Sequence, residues 1–400
     1  MFNNLCSCSG RELGVSYISF VAVAGAMGDS LVVRMAGRRI GMDVAGGELA
    51  YISHAHSDHT QALGGPAPIF CSDITADILG IGKAEEKEES GQEKIENPLL
   101  PKADSPVPLL PAVKEKIPRR SRKSHSVSSI EPPAKWQQAR IPIPEGIELH
   151  SAGHILGSTQ LVGMSEQYGR VAYTGDFKLR DGLTLKGAPI ISCDTLFAEC
   201  TYGDPAVAFP PPENVLEDME RWARQNREAI QLWGGYSTGK AQELVKFINE
   251  YLGETPIVGG KAAEVCAAYR RAGVNLQWLA PDSAEAQEAM RGAFLSVMPP
   301  HQLSPLLAGR LAAVHRRKVL SAFATGWALV RQLPVHAAFP LSDHADFGEL
   351  LQYAKESGAK RVILAHGDNE KTAAALRAAG VNAQAIESLE PQQMILKIGE

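Results

Sequence analysis

The sequence has few cysteines and little net charge, and each shortage excludes a class of protein. Its six cysteines are scattered, without the spacing of a disulfide framework or of a zinc finger. We therefore expect a protein of the reducing cytoplasm. The 40 basic and 45 acidic residues leave a net charge of −5, so the chain as a whole does not attract a polyanion. Any contact with nucleic acid must come from a local patch or from bound metal ions.

Long hydrophobic runs are also missing. The apolar run 15–27 is far too short to span a bilayer and has only Arg11 as a basic residue near its start. We therefore expect neither a membrane span nor a signal peptide, and residues 1–28 should form a strand or a poorly ordered leader. Aliphatic and aromatic residues make up 44% and charged residues 21%, as in an ordinary soluble protein. At 400 residues the chain is long enough for two domains.

Residues 51–60 are the most informative stretch of the chain. They place His54, His56, Asp58 and His59 within six positions, directly after a short apolar run. Imidazole and carboxylate groups are preferred ligands of zinc. A single histidine would more often be a packed or surface side chain, but four such groups at this spacing favour a metal site. If 49–53 is a strand, the turn after it can serve two cations about 3.5–4 Å apart, as in two-metal hydrolases.

Further ligand candidates follow other predicted strands. His154 lies between Gly153 and Gly157, which let the backbone turn tightly enough to aim one imidazole at a distant site. Asp176 ends a strand pair, and its two carboxylate oxygens can bridge two cations. Asp43 ends a hairpin predicted over 30–43, where it is either a turn residue or a group that orients a ligating histidine. Three more chemically active side chains lie just past predicted elements: Glu199, His344 and His366.

Changes in composition divide the chain. Residues 83–138 are rich in Glu, Lys and Pro, and we expect them to form a disordered or loosely attached insert. From 205 to 335 helices and strands alternate, which indicates a parallel sheet with helices on its faces. We therefore predict a first domain in two parts, 1–204 and 336–400, with a second domain, 205–335, inserted between them.

A glycine-rich turn lies inside the predicted second domain. Residues 234–240 match Gly-x-x-x-x-Gly-Lys, but Ala241 stands where an NTP-binding loop needs a hydroxyl group for magnesium, so we do not expect an NTPase. Such a turn between a strand and a helix can still present free N–H groups and a lysine to an anion. The sequence thus predicts phosphate-binding residues here: Ser237, Thr238, Gly239 and Lys240.

Taken in order, these motifs resemble those of the β-CASP branch of the metallo-β-lactamase fold, whose members are nucleases that process nucleic acids. The resemblance covers residues 30–82 and 140–400. It implies an α/β protein, with an αββα sandwich and an inserted βα parallel-sheet domain. It also implies two Zn²⁺ ions, with Mn²⁺ as an alternative. By the resemblance, one ion is held by His54, His56 and His154, the other by Asp58, His59 and His366, and Asp176 bridges them.

The implied reaction is hydrolysis of a phosphodiester bond. The two cations would lower the pKa of a shared water and neutralise charge on the phosphate. His344 would protonate the leaving oxygen as a general acid, and Glu199 would orient it. Asp58 belongs to the same machinery as a ligand. The choice of His366 rather than His344 as ligand comes from the resemblance, because sequence spacing leaves both open.

The substrate is less constrained. His366 looks like the residue found in RNA-acting members, including messenger-RNA 3′-end processing endonucleases, and we favour RNA. The Thr-Gly-Trp turn at Trp327 and the run 236–242 look like the DNA exonucleases encoded beside ligases, which share the histidine at the position of His366. A small-molecule hydrolase of the same fold and a non-catalytic processing subunit are further alternatives. The sequence leaves open endonuclease or exonuclease action, a homodimer and the role of the insert before His154.

Overall fold

The hairpin predicted at 30–43 is present and begins the first of three sheets in the described part of the chain. The computed structural model describes residues 31–82 and 140–389, which belong to one compact unit. The expectations for the leader 1–28, for the insert 83–138 and for a last strand at 393–398 fall outside these residues. The mixed α/β class is confirmed by the sheets and helices that follow.

The strands, in chain order, are β1 (Val32–Met35), β2 (Arg38–Met42), β3 (Leu49–Tyr51), β4 (Ile69–Phe70), β5 (Ile147–Ser151), β6 (Thr159–Ser165), β7 (Gly169–Tyr173), β8 (Thr195–Cys200), β9 (Ile230–Gly234), β10 (Ile257–Val258), β11 (Leu295–Met298), β12 (Val319–Ala324), β13 (Ala337–Phe339), β14 (Arg361–Gly367) and β15 (Ala383–Ala385). The α-helices are α1 (Asp73–Leu79), α2 (Pro212–Gln225), α3 (Lys240–Phe247), α4 (Gly260–Arg271), α5 (Ala284–Ala289), α6 (Pro305–His315), α7 (Phe347–Glu356) and α8 (Asn369–Ala378). None of these helices is long and apolar enough to cross a membrane.

In the first sheet, of order β1-β2-β3-β4, the strands β3 and β4 are buried on both faces. Side chains alternate along β3, so Leu49 and Tyr51 enter the core shared with the second sheet. Ala50 and Ile52 enter a separate core that includes Ala76 of α1. The sheet is therefore covered by a helix on one side and by another sheet on the other.

The second sheet, in the order β15-β14-β8-β7-β6-β5, repeats this two-sided burial. Phe197 of β8 and Ile363 of β14 face the first sheet, whereas Leu196 and Val362 face the opposite core. That opposite core also contains residues of α7 and α8, such as Tyr353 and Leu376. The layers thus run helix, sheet, sheet, helices.

The third sheet is wholly parallel, in the order β10-β11-β9-β12-β13. Helices pack on it through apolar stripes; in α2 the buried residues include Val215, Leu216, Met219 and Ala223, at helical spacing. The parallel sheet predicted for this stretch is confirmed. The boundaries 205–335 of a separate domain stay a prediction.

Candidate metal centre

Asp43 anchors the loop that follows β3. Its backbone is left-handed, with φ of 60°, and its carboxylate accepts four hydrogen bonds. The donors are the Ser53 backbone N–H at 2.6 Å, the Ser53 hydroxyl at 2.7 Å, the Tyr173 hydroxyl at 2.8 Å and His59 Nδ1 at 2.8 Å. Asp43 therefore binds both ends of the loop 53–59 and holds the ring of His59 with Nε2 turned away from it.

Three other imidazoles each have one ring nitrogen engaged by an oxygen acceptor. The pairs are His54 Nδ1 with Ser53 Oγ at 2.9 Å, His56 Nε2 with Thr238 O at 3.1 Å, and His154 Nδ1 with Asp343 O at 2.8 Å. A carbonyl oxygen only accepts, so the ring N–H lies on the engaged nitrogen. The Ser53 hydroxyl donates to Asp43, and it therefore accepts from His54. The second nitrogen of each ring is left with a lone pair.

These lone pairs converge on one point. His54 Nε2 and His154 Nε2 each lie 3.1 Å from His56 Nδ1. Asp176 Oδ2 lies 3.5 Å from His54 Nε2 and 3.7 Å from His154 Nε2. Four ligands of a tetrahedral zinc ion would lie about 3.4 Å apart at ordinary zinc–nitrogen distances. Because converging lone pairs repel, this donor set fits a cation at its centre.

The protonation states of the cluster suit a metal ion. Burial, with help from the neighbouring imidazoles, lowers the pKa of His54 and of His154 well below the usual value, so both rings are neutral. Burial alone would raise the pKa of Asp176, but the neighbouring imidazoles, His59 foremost, hold it well below the usual range. Neutral imidazoles and an ionised carboxylate are the forms in which these groups bind metals.

A second, more open group lies on the other side of Asp176. His59 Nε2 lies 3.3 Å from Asp176 Oδ2 and 3.9 Å from Asp58 Oδ2, and the His59 and His366 rings have centroids 4.9 Å apart. The Asp58 side chain is 73% exposed, and His366 is exposed and has φ of 60°. Asp58 and His366 thus lie beside the first group, but their ligand atoms do not converge on one point as those of the first group do.

His344 and Glu199 form a pair next to Asp176. His344 Nδ1 lies 2.9 and 3.1 Å from the two carboxylate oxygens of Glu199, and 3.9 Å from Asp176 Oδ2. Glu199 also accepts from the backbone N–H groups of Phe177 and Thr201, which fixes its position. Burial would lower the pKa of His344, but the charge of Glu199 outweighs this and raises it to about 9. His344 is therefore protonated, and its Nδ1 donates to Glu199.

The glycine-rich turn does not present its lysine to an anion. Lys240 is buried, and its ammonium lies 2.6 Å from Glu243 Oε2 and 2.7 Å from Asp343 Oδ1. The Gly239 N–H donates to Gln242 Oε1 at 2.7 Å. The Lys240 ammonium and the Gly239 N–H are therefore engaged inside the protein. The phosphate-binding role of Ser237 and Thr238 stays a prediction. The turn instead supplies Thr238 O, the acceptor for His56.

Sequence reasoning missed four residues that support the cluster. They are Ser53, Tyr173, Lys178 and Asp343. Two of them were detectable in principle, because Ser53 precedes the first ligand histidine and Asp343 precedes His344. Lys178 and Tyr173 carry no such local signal. Lys178 is buried and donates to Ser342 O at 2.8 Å, which fastens the segment next to His344.

Fold and site together define a mixed α/β protein with a histidine–carboxylate cluster that could hold metal ions. The chain belongs to the same family as a protein of Acidianus ambivalens named "uncharacterized protein in lig 3′ region". The two are 33% identical over 124 residues, which is 30% of this chain and 84% of that protein. No family model matches the chain.

Two longer relatives share a larger part of the chain. A protein of Opitutus terrae named "probable DNA ligase" is 32% identical over 248 residues, 60% of this chain and 23% of that protein. A protein of Methanocaldococcus jannaschii named "probable RNase MJ4" is 26% identical over 260 residues, 60% of this chain and 53% of that protein. The matched part of the chain thus spans about a quarter of the first relative and about half of the second.

One solved structure, described as a protein of unknown function from Enterococcus faecalis V583, matches with a TM-score of 0.48 and 13% sequence identity. The match covers 86% of this chain and 80% of that chain, but it is too weak to assign the fold.

Proposed function

We propose that this protein is a metal-dependent nuclease of the metallo-β-lactamase fold, in its β-CASP branch. The observation that carries the proposal is the convergence of three imidazole nitrogens and one Asp176 oxygen, all within 4.8 Å of one another and the closest at 3.1 Å. The layer order helix, sheet, sheet, helices and the separate parallel sheet support it. So do relatives whose names refer to an RNase and to a DNA ligase.

In this proposal the buried cluster holds one cation, and the open group beside it holds a second. The first set is His54, His56, His154 and Asp176, and the second is Asp58, His59, His366 and Asp176. The first set fits the tetrahedral geometry of zinc, although manganese also accepts imidazole and carboxylate ligands. The exposure of Asp58 and His366 leaves the second position open to substrate oxygens.

When bound, two such cations supply a water of lowered pKa and neutralise charge on the phosphate. The residues around them supply the rest. His344 has its Nδ1 held by Glu199, so Nε2 is the atom that would donate a proton to the leaving oxygen. Positive charge bound at Asp176 would lower the pKa of His344 from about 9 toward neutrality, where a general acid is most effective.

The nucleic acid is RNA or DNA. We favour RNA, because His366 is the residue of RNA-acting members, although the ligase-associated DNA exonucleases share it, and because one relative is named "probable RNase MJ4". The second candidate is a DNA exonuclease, favoured by the two relatives whose names refer to a DNA ligase and to a lig 3′ region. Both candidates use the same site, so one assay separates them.

The test uses purified protein with zinc or manganese, and RNA and DNA strands of one sequence, each labelled at the 5′ or the 3′ end. We expect cutting that a chelator abolishes, and the labels report the sugar preference and the direction of cutting. His59→Ala and His344→Ala should lower the rate by at least about a hundredfold. His150→Ala, which removes an exposed histidine of β5, is the matched control and should cut normally. Normal cutting by both site variants would refute the assignment.

A further inference from the structure

The carboxyl ends of β9 and β12 lie side by side at the topological switch point of the third sheet, where the strand order changes direction. From β9 the chain adds β10 and β11 on one side and then β12 and β13 on the other. In open parallel sheets, ligands bind in the crevice outside the strand ends at such a reversal. The topology alone therefore marks this edge as a binding position.

Planar side chains occupy this position. Tyr236, two residues past β9, is 45% exposed, and its ring centroid lies 6.2 Å from that of Phe323 in β12. Trp327, three residues past β12, is half-buried, and the guanidinium of the exposed Arg331 lies 5.0 Å from its ring centroid. Gly234 of β9 pairs with Phe323 of β12, so the segments that carry Tyr236 and Trp327 leave the sheet as neighbours. Tyr236, Trp327 and Arg331 therefore form one cluster.

This cluster is connected to the metal centre through one ring. Tyr202 is buried, and its ring centroid lies 5.1 Å from that of Trp327 and 5.9 Å from that of His344. The ring of Trp327 is thus separated from the ring of His344, the group that we propose as proton donor, by the Tyr202 ring. Core packing accounts for the buried Tyr202. It does not account for the exposed ring of Tyr236 and the exposed guanidinium of Arg331 at this edge of the sheet.

We propose that Tyr236, Trp327 and Arg331 form a subsite for an unpaired base of the substrate strand, beside the bond that is cut. This inference rests on the proposed nuclease function and adds a substrate class to it. Aromatic faces and guanidinium planes stack on any base without reading its identity, and stacking requires that the base be unpaired. The subsite therefore selects single strands over duplexes.

The test measures binding separately from cutting. The full-length protein is titrated in chelator with a fluorescein-labelled oligothymidylate of about ten nucleotides, within the usual site size of single-strand binders. A strand of the same length made of abasic deoxyribose phosphates is the second probe. Tyr236→Ala and Trp327→Ala should each weaken binding of the first probe about tenfold and leave binding of the second unchanged. Trp327→Phe keeps an aromatic face and should bind within a few-fold of the wild type.

A matched control lies beside the edge strand β10. There the guanidinium of Arg270 covers the ring of Trp278 at 4.1 Å, so Trp278→Ala removes the same kind of pair at a different place. We expect this variant to bind both probes normally. Unchanged affinity for the oligothymidylate in both alanine variants would overturn the subsite, and so would equal binding of the two probes by the wild type. If the wild type still cuts nucleic acid in either case, the proposed nuclease function stands. A wild-type protein that neither binds nor cuts any strand would overturn both.

Discussion

At the scale of single residues, the ligand imidazoles depend on groups far from them in sequence. The carbonyl of Thr238 holds His56, and the carbonyl of Asp343 holds His154. Asp343 is held in turn by Lys240, whose buried ammonium lies 2.7 Å from the Asp343 carboxylate. A change at Lys240 therefore reaches His154 through one intervening residue.

Lys240→Met tests this connection. The variant keeps the length of the side chain but leaves the buried carboxylate of Glu243 and the half-buried carboxylate of Asp343 without their cation, so stability should fall by roughly 3–5 kcal/mol. Asp343 should then hold His154 less firmly, and zinc affinity of the folded protein should drop at least about tenfold. Competition with a chromophoric chelator, at a temperature where the variant is folded, measures that affinity.

Lys246→Met is the matched control for the preceding variant. Lys246 lies in the same helix and pairs with Glu250 near the surface at 2.6 Å, so its loss should cost less than about 1 kcal/mol and leave zinc affinity unchanged. Wild-type zinc affinity in folded Lys240→Met would show that Lys240 serves stability alone.

At the scale of elements, the loop that carries His154 depends on the glycine before it. Gly153 has φ of +68°, and a Cβ there would lie 2.3 Å from Lys178 O and 2.5 Å from Ala188 N. Both neighbours are backbone atoms that cannot rotate away. The close packing that places His154 is therefore compatible with glycine alone.

Gly153→Ala and Gly358→Ala form a matched pair for testing this packing. Gly358 has φ of +69°, and a Cβ there would meet nothing within 4 Å. Alanine at Gly358 should cost only the left-handed backbone strain, about 1–2 kcal/mol. Alanine at Gly153 should cost at least about 2 kcal/mol more and reduce zinc binding, as measured by urea unfolding and by metal content. Equal losses in the two variants would contradict the steric account.

Several long elements were predictable from the sequence, and some very short ones were not. The strand 319–324 and the helices near 213–226 and 348–357 have enough residues to show an apolar period, and the structure places β12, α2 and α7 there. Strands β4 and β13 have two and three residues, too few for any period to appear. Their formation depends on neighbouring strands rather than on local sequence.

At the scale of the whole molecule, the cluster joins segments that are distant in the chain. Its donors follow β3, β5 and β7, so they converge only after the first two sheets have packed. A cation that binds them therefore binds the folded state in preference to the unfolded chain. Metal binding should appear as a gain in stability.

Zinc should raise the melting temperature of the chelator-treated protein. At a hundredfold excess over the dissociation constant, the gain is about 2.7 kcal/mol, or about 3–5 °C for a chain of this size. Differential scanning calorimetry measures the shift. His54→Ala removes one of the four donors and should largely lose the response, while the control His150→Ala should keep it. A wild-type melting temperature that is unaffected by zinc or manganese would contradict the metal centre.

The sequence by itself determined the chemistry-bearing groups and their order, because His54 to His59 are close enough in the chain to form one turn. It also determined the parallel sheet, through the alternation of helices and strands. Only the tertiary structure decided which nitrogen of His56 and of His154 faces the cluster, since Thr238 O and Asp343 O come from distant segments. It likewise turned Lys240 inward, because two carboxylates from different elements meet its ammonium there, while Tyr236 was left 45% exposed.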